Sequence, residues 1–103
     1  MGETVLNCLR KPRGLETAGS NLWTRITAEF EMDSEPHKVA ILEAACRTAD
    51  DIARFEKAAA DEPLCVKGSA NQLVIHPLRS EIRFSRGLLS QLMARLNFEE
   101  QEL

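Results

Sequence analysis

Three arginines, Arg79, Arg83 and Arg86, fall at i, i+4 and i+7 in the stretch PLRSEIRFSRGLLSQLMARLNF. On a helix this spacing gathers their guanidinium groups into one narrow arc. Each group presents a planar fork of donors, so the arc suits recognition of phosphate or carboxylate. Two readings fit it. One is a phosphate-contacting stripe; the other is a solvated face, or one making salt bridges to acidic residues of a second subunit, because such a stripe beside apolar residues also occurs at subunit contacts. A second basic group, Arg10, Lys11 and Arg13 in RKPRG, reads either as a phosphate-contacting arm or as a solvated tail.

The other reactive side chains form no catalytic pattern. The sequence has no phosphate-cradling glycine loop, no helix with paired metal-binding histidines and no nucleophile elbow. His37 and His76 are the only histidines. Grouping His76 with Cys46 and Cys65 lacks the paired C-x₂-C spacing of structural zinc, and His76 is better placed to cap the helix that follows it. Cys46 and Cys65 sit in apolar segments, where thiols are usually inert packing groups. Asp50 and Asp51 point to different sides of a helix, so they make no carboxylate pair. The expectation is a protein that is not an enzyme and uses neither metal nor cofactor.

The elements that would position the basic groups follow from periodicity. Residues 1–16 lack a sustained apolar period and read as a basic flexible arm. In ETAGSNLWTRITAEF, Leu22, Ile26 and Phe30 recur at spacing four beside Trp23, which predicts a short helix with Trp23 as its core anchor and Thr17 or Ser20 as its cap. The run from Met32 to Pro63 predicts a long helix of about 26 residues, about 39 Å at 1.5 Å per residue. Ser34 is its expected cap, Pro36 falls in its first turn, and Glu62 and Pro63 end it.

Leu64–Val66 and Leu73–Ile75 then read as a β-hairpin near 64–76, with Gly68 and Asn71 in the turn. His76 and Pro77 start the last helix, whose apolar face carries Leu78, Ile82, Ser85, Leu89, Leu92, Met93 and Leu96; Phe84 and Leu88 make a smaller strip. The EEQEL tail at 99–103 is acidic. The fold class is mainly α, with one helical domain over 17–98.

The long helix spreads apolar residues over more than one core-facing stripe and is rich in alanine, which lets helix axes approach closely. It also exceeds what a globule of radius about 13 Å covers. Part of it is therefore expected to pack against another copy, at Ala45, Ala49, Ile52 and Phe55, with Leu73, Ile75, Phe84 and Leu88 joining the contact. The hairpin reverses the chain between the two long helices. It is either a plain connector or a source of strand edges for a neighbouring subunit.

A chain of 103 residues is one domain by size. The net charge of −3 and pI near 5.4 count against non-specific nucleic-acid binding, although local arrangement matters more than the sum. Three cysteines without paired spacing fit a reducing cytosol and not a disulfide framework. No signal-peptide pattern and no long apolar run occurs, so a soluble intracellular protein without membrane contact is expected.

Taken in order, LETAGSNLWTRITAEFEMD, ILEAACRTADDIARFE, a short hairpin closing in HP and an arginine-bearing helix resemble the small terminase subunits of tailed bacteriophages, in the short, mainly helical form found in phages of high-GC hosts. The resemblance is carried by Gly19, Leu22, Trp23, Leu42, Ala45, Cys46, Arg47, Asp50, His76 and Pro77, and covers residues 15–97. It implies a non-catalytic component that assembles as a ring, recognises double-stranded viral DNA and delivers it to the large terminase subunit, which holds the ATPase and nuclease. The implied location is the cytoplasm of an infected bacterial host.

Many small terminases carry an N-terminal helix-turn-helix, whereas here one short helix precedes the long one. That departure leaves DNA contact to the arm (Arg10, Lys11, Arg13), to Arg25 or to the stripe Arg79, Arg83 and Arg86. A reading from a different class is a small helical interaction or regulatory module that binds another protein and no DNA.

Overall fold

Pro36 fills the first position of the longest helix, where a missing N–H is no loss, and an alanine-rich run without internal Gly or Pro carries the chain on to Ala59. The computed structural model describes residues 9–31 and 35–96; residues 1–8 with Cys8, the expected Ser34 cap and the acidic tail lie outside the described residues. The elements are α1 (Thr17–Glu29), α2 (Pro36–Ala59), β1 (Cys65–Lys67), β2 (Leu73–Ile75) and α3 (Pro77–Leu96). The chain is mainly helical with one small antiparallel hairpin.

Helix α2 stops at Ala59, before the expected Glu62–Pro63 end. The turn that follows has Ala60 N–H donating to Lys57 O (3.3 Å) and Glu62 N–H to Ala59 O (3.0 Å). The hairpin pairs Cys65 with Ile75, Val66 with Val74 and Lys67 with Leu73. Its first strand thus lies one residue later than the sequence suggests. The loop fixes that register: Gly68 N–H donates to Gln72 O at 2.7 Å, and Asn71 takes the left-handed conformation (φ 71°) that its short polar side chain tolerates. Leu64 still joins the pairing, because its carbonyl accepts from His76 N–H at 2.7 Å.

His76 then caps α3 as expected. Leu78 N–H donates to His76 Nδ1 (3.1 Å), and His76 Nε2 lies 3.3 Å from Glu62 Oε1. Helix α3 runs back antiparallel along α2. Arg79 meets the Ala59 carbonyl, Arg86 meets Glu56, and Leu96 joins Leu42 in the core. Ile82, Ser85 and Leu96 are buried on the predicted inner face, with Leu78, Leu89, Leu92 and Met93 half-buried beside them.

The core lies at the end of this pair where α1 covers it. Trp23, Leu42, Cys46 and Leu96 are its buried centre, and Leu15, Leu22, Ile26 and Phe30 pack around it. Helix α1 is capped by neither Thr17 nor Ser20, contrary to expectation. Its cap is remote: Asp50 on α2 accepts from Glu16 N–H (Oδ2, 2.7 Å) and Gly19 N–H (Oδ1, 2.6 Å). A charged acceptor there satisfies two first-turn donors that have no intrahelical partner.

The approach this requires explains Gly19. A Cβ at that position would sit 2.5 Å from the Cys46 carbonyl oxygen and 2.6 Å from Asp50 Oδ2. The radius of gyration, 17.6 Å, exceeds the roughly 13 Å of a compact 100-residue domain, so the helical pair reaches beyond its own core.

Candidate functional site

The basic residues divide by what already holds them. Arg79 Nη2 lies 3.5 Å from the Ala59 carbonyl, and Arg86 forms a short ion pair with Glu56; both tie α3 to α2. Arg83 has no polar partner among the described residues and projects from the open face of α3 beside Phe84. The stripe read from spacing is therefore one free guanidinium between two that brace the helix pair.

Residues 9–16 lie along α1 and α2. Leu9 and Leu15 pack against the core, Lys11 Nζ donates to Ser20 Oγ at 2.7 Å, and Arg47 Nη2 donates to the Arg13 carbonyl at 3.2 Å. Arg10 and Arg13 project their side chains outward from this docked segment, and Arg25 does so from α1. Their surroundings are mixed in charge: Arg47 pairs with Glu43 (2.7 Å), and Arg54 pairs with Glu16 (3.1 Å) and Asp51 (3.0 Å). The hydrogen bonds Arg54 donates to Glu16, followed by the charge of that carboxylate, raise its already high pKa. Of the basic residues read from the sequence as DNA-contacting, those outside an ion pair therefore sit at two places, the docked N-terminal segment with α1 and the middle of α3, while Lys57, Lys67 and Arg95 are exposed elsewhere.

The residues expected at a copy-to-copy contact also divide. Ala45 and Ile52 are buried inside the chain's own helix packing, where α2 meets α1 and α3. Ala49 and Phe55 are half-buried. Leu73 (72%), Ile75 (46%), Phe84 (73%) and Leu88 (41%) are open to solvent, and Leu64 (63%), which the sequence did not single out, joins them. All five lie at the hairpin or along the middle of α3.

One further position was legible only as an anomaly. Gly87 interrupts an otherwise well-formed helix, and a Cβ built there meets nothing within 4 Å. Its signal in sequence is a glycine inside a helical pattern between Phe84 and Leu88, which marks either a cost or a close approach. In the fold it opens a shallow depression lined by Ser80, Glu81, Arg83, Phe84, Gly87, Leu88 and Gln91.

Nucleophile and metal chemistry find little here. Cys46 is fully buried; burial, then the negative charge of Asp50, pushes its thiol up to about 11, so it stays protonated at neutral pH. Cys65 is exposed on β1, and His76 is engaged as a cap, so the three do not gather. Asp50 is buried as the α1 cap while Asp51 faces Arg54, as their adjacency on a helix requires. Among the described residues no cluster of three metal-ligating side chains occurs, and no helix is long and apolar enough to cross a membrane. No family model, curated protein or solved structure matches the chain.

Proposed function

We propose that this chain is a non-catalytic small terminase subunit, a self-associating adaptor that holds double-stranded viral DNA and passes it to a large ATPase and nuclease subunit in the infected bacterial cytoplasm. The observation that carries the reading is the place of the residues behind the resemblance. Gly19 and Asp50 make the close cap, Trp23, Leu42, Ala45 and Cys46 fill the core with Leu22 at its edge, Arg47 docks residues 9–16, and His76 and Pro77 start α3. A shared pattern made of residues that hold the fold supports a shared architecture. The DNA-contacting groups are then Arg10, Arg13, Arg25 and Arg83, with the exposed Lys11 beside them on Ser20, acting weakly in each chain and strongly through many chains.

The test is retention of duplex DNA over a salt series. Contacts with phosphate release counterions, so log affinity falls linearly with log salt, with a slope of about −0.9 per phosphate neutralised. Replacing Arg10, Arg13 and Arg25 together by Ala should flatten that slope, and Arg83→Ala should flatten it less. A slope near zero for the unaltered protein rejects DNA binding. The reading as a protein-interaction module without DNA would then lead. It is favoured by the net charge of −3 and by the internal use of Arg79 and Arg86.

A further inference from the structure

We propose that the open face of α3 binds the same face of a second copy, antiparallel, with Phe84 of each chain seated in the depression at Gly87 of the other. The arrangement of the lining residues points to it. Phe84 with Gly87, Arg83 with Leu88 and Ser80 with Gln91 are three pairs placed symmetrically about one point, between Ser85 and Arg86. A two-fold axis through that point sets each residue opposite its counterpart in a single register, as an isologous contact requires. The pairs are also chemically suited. A largely exposed aromatic ring meets a position with open space above its Cα, the Arg83 stem can lie over Leu88, and the Ser80 hydroxyl meets the Gln91 amide.

Spacing and exposure agree. Ser80, Phe84, Gly87 and Gln91 follow one another at intervals of four, three and four, the stripe by which two helices pack side by side at a crossing of about 20°. Phe84 and Leu88 stand 73% and 41% exposed along this stripe, open apolar surface that such a contact would cover. An isologous contact closes at two chains, so this one adds a pairing step to the adaptor reading and does not itself build a ring; it rests on that reading only for what the pairing serves, and the packing itself needs no DNA.

Sedimentation equilibrium of the full chain, Phe84→Ala, Gly87→Phe and the Phe84→Ala/Gly87→Phe exchange tests it. The full chain should self-associate through an even-numbered step. Each single variant should raise the dissociation constant by about ten- to a hundredfold, one by removing the knob and the other by filling the hole. The exchange variant should associate within a few fold of the unaltered chain, because knob and hole have only traded places. Circular dichroism melts of each variant establish that it folds, and Leu88→Ala, a smaller change on the same face, should weaken association in the same direction.

A monomeric full chain overturns the proposal. So does a single variant that folds and associates normally, or an exchange variant no better than the singles. DNA retention measured on the same samples separates the two ideas. Association that follows these expectations without DNA binding leaves the contact and removes the packaging role; DNA binding with indifferent variants does the reverse.

Discussion

At one end of the α2–α3 pair, helix α1 lays Trp23 over Leu42, Cys46 and Leu96, and a buried carboxylate ties its first turn to α2. Beyond it the same two helices are joined by a hairpin of three-residue strands, and Leu64, Leu73 and Ile75 at the hairpin, with Phe84 and Leu88 along the middle of α3, stay open. Two short strands alone are marginal in water. A chain of this size places its apolar residues unevenly. One end has enough to close a core within the monomer, and the other holds a surplus that only a further surface can cover.

The sharpest way to break the contrast is to empty the closed end. Trp23→Ala should cost about 3–5 kcal/mol by chemical denaturation, the range for deleting a buried aromatic ring. Such a loss is a large part of a typical domain's stability, whereas Phe84→Ala at the open end should leave the monomer's stability within about 0.5 kcal/mol. Equal losses would mean the two ends are not built differently.

Next in size is Asp50→Ala, expected to cost about 2–3 kcal/mol because one buried and one part-buried N–H donor lose a charged acceptor. Hydrogen exchange should locate the added opening in α1 and not in the hairpin. An alkaline titration sharpens the same point. The Cys46 thiol is raised in the fold from 9.0 to about 11, so between those values the unfolded chain has released its proton while the folded chain keeps it. Stability attributable to Cys46 is therefore intact below pH 9 and falls through the window up to about 11, by about 3 kcal/mol in all. Cys46→Ala should remove that part of the fall and leave the rest of the pH profile in place. The smallest effect is expected at the Arg86–Glu56 pair, which is solvent-exposed: Arg86→Ala should cost under about 1 kcal/mol and less still at high salt.

Much of the fold was legible because its signals are local. Spacing four marked the inner face of α1, Pro36 and Pro77 marked helix starts, and His76 was readable as a cap. What was not legible depends on partners distant in sequence. Nothing near Thr17 or Ser20 shows that Asp50 will supply the cap, and the alanines of α2 look the same whether they receive α3 of their own chain or a neighbour's helix. The arginine stripe illustrates the limit for the site. Helical spacing placed Arg79, Arg83 and Arg86 on one arc, but only the register of α3 on α2 reveals that Glu56 and the Ala59 carbonyl occupy two of them.

The Asp50 cap also imposes an order in time. Glu16 and Gly19 leave the ribosome first, and the carboxylate that receives their N–H groups follows 31 residues behind Gly19. At synthesis rates of about 5–20 residues per second, that separation is on the order of two to six seconds. During it α1, only 13 residues long and without a cap of its own, is too short to hold a helix in water. Trp23 is therefore carried exposed on a nascent chain until α2 arrives, and a chain stalled before Asp50 should show no helical protection over Thr17–Glu29. The N-terminal segment is translated early and folds late.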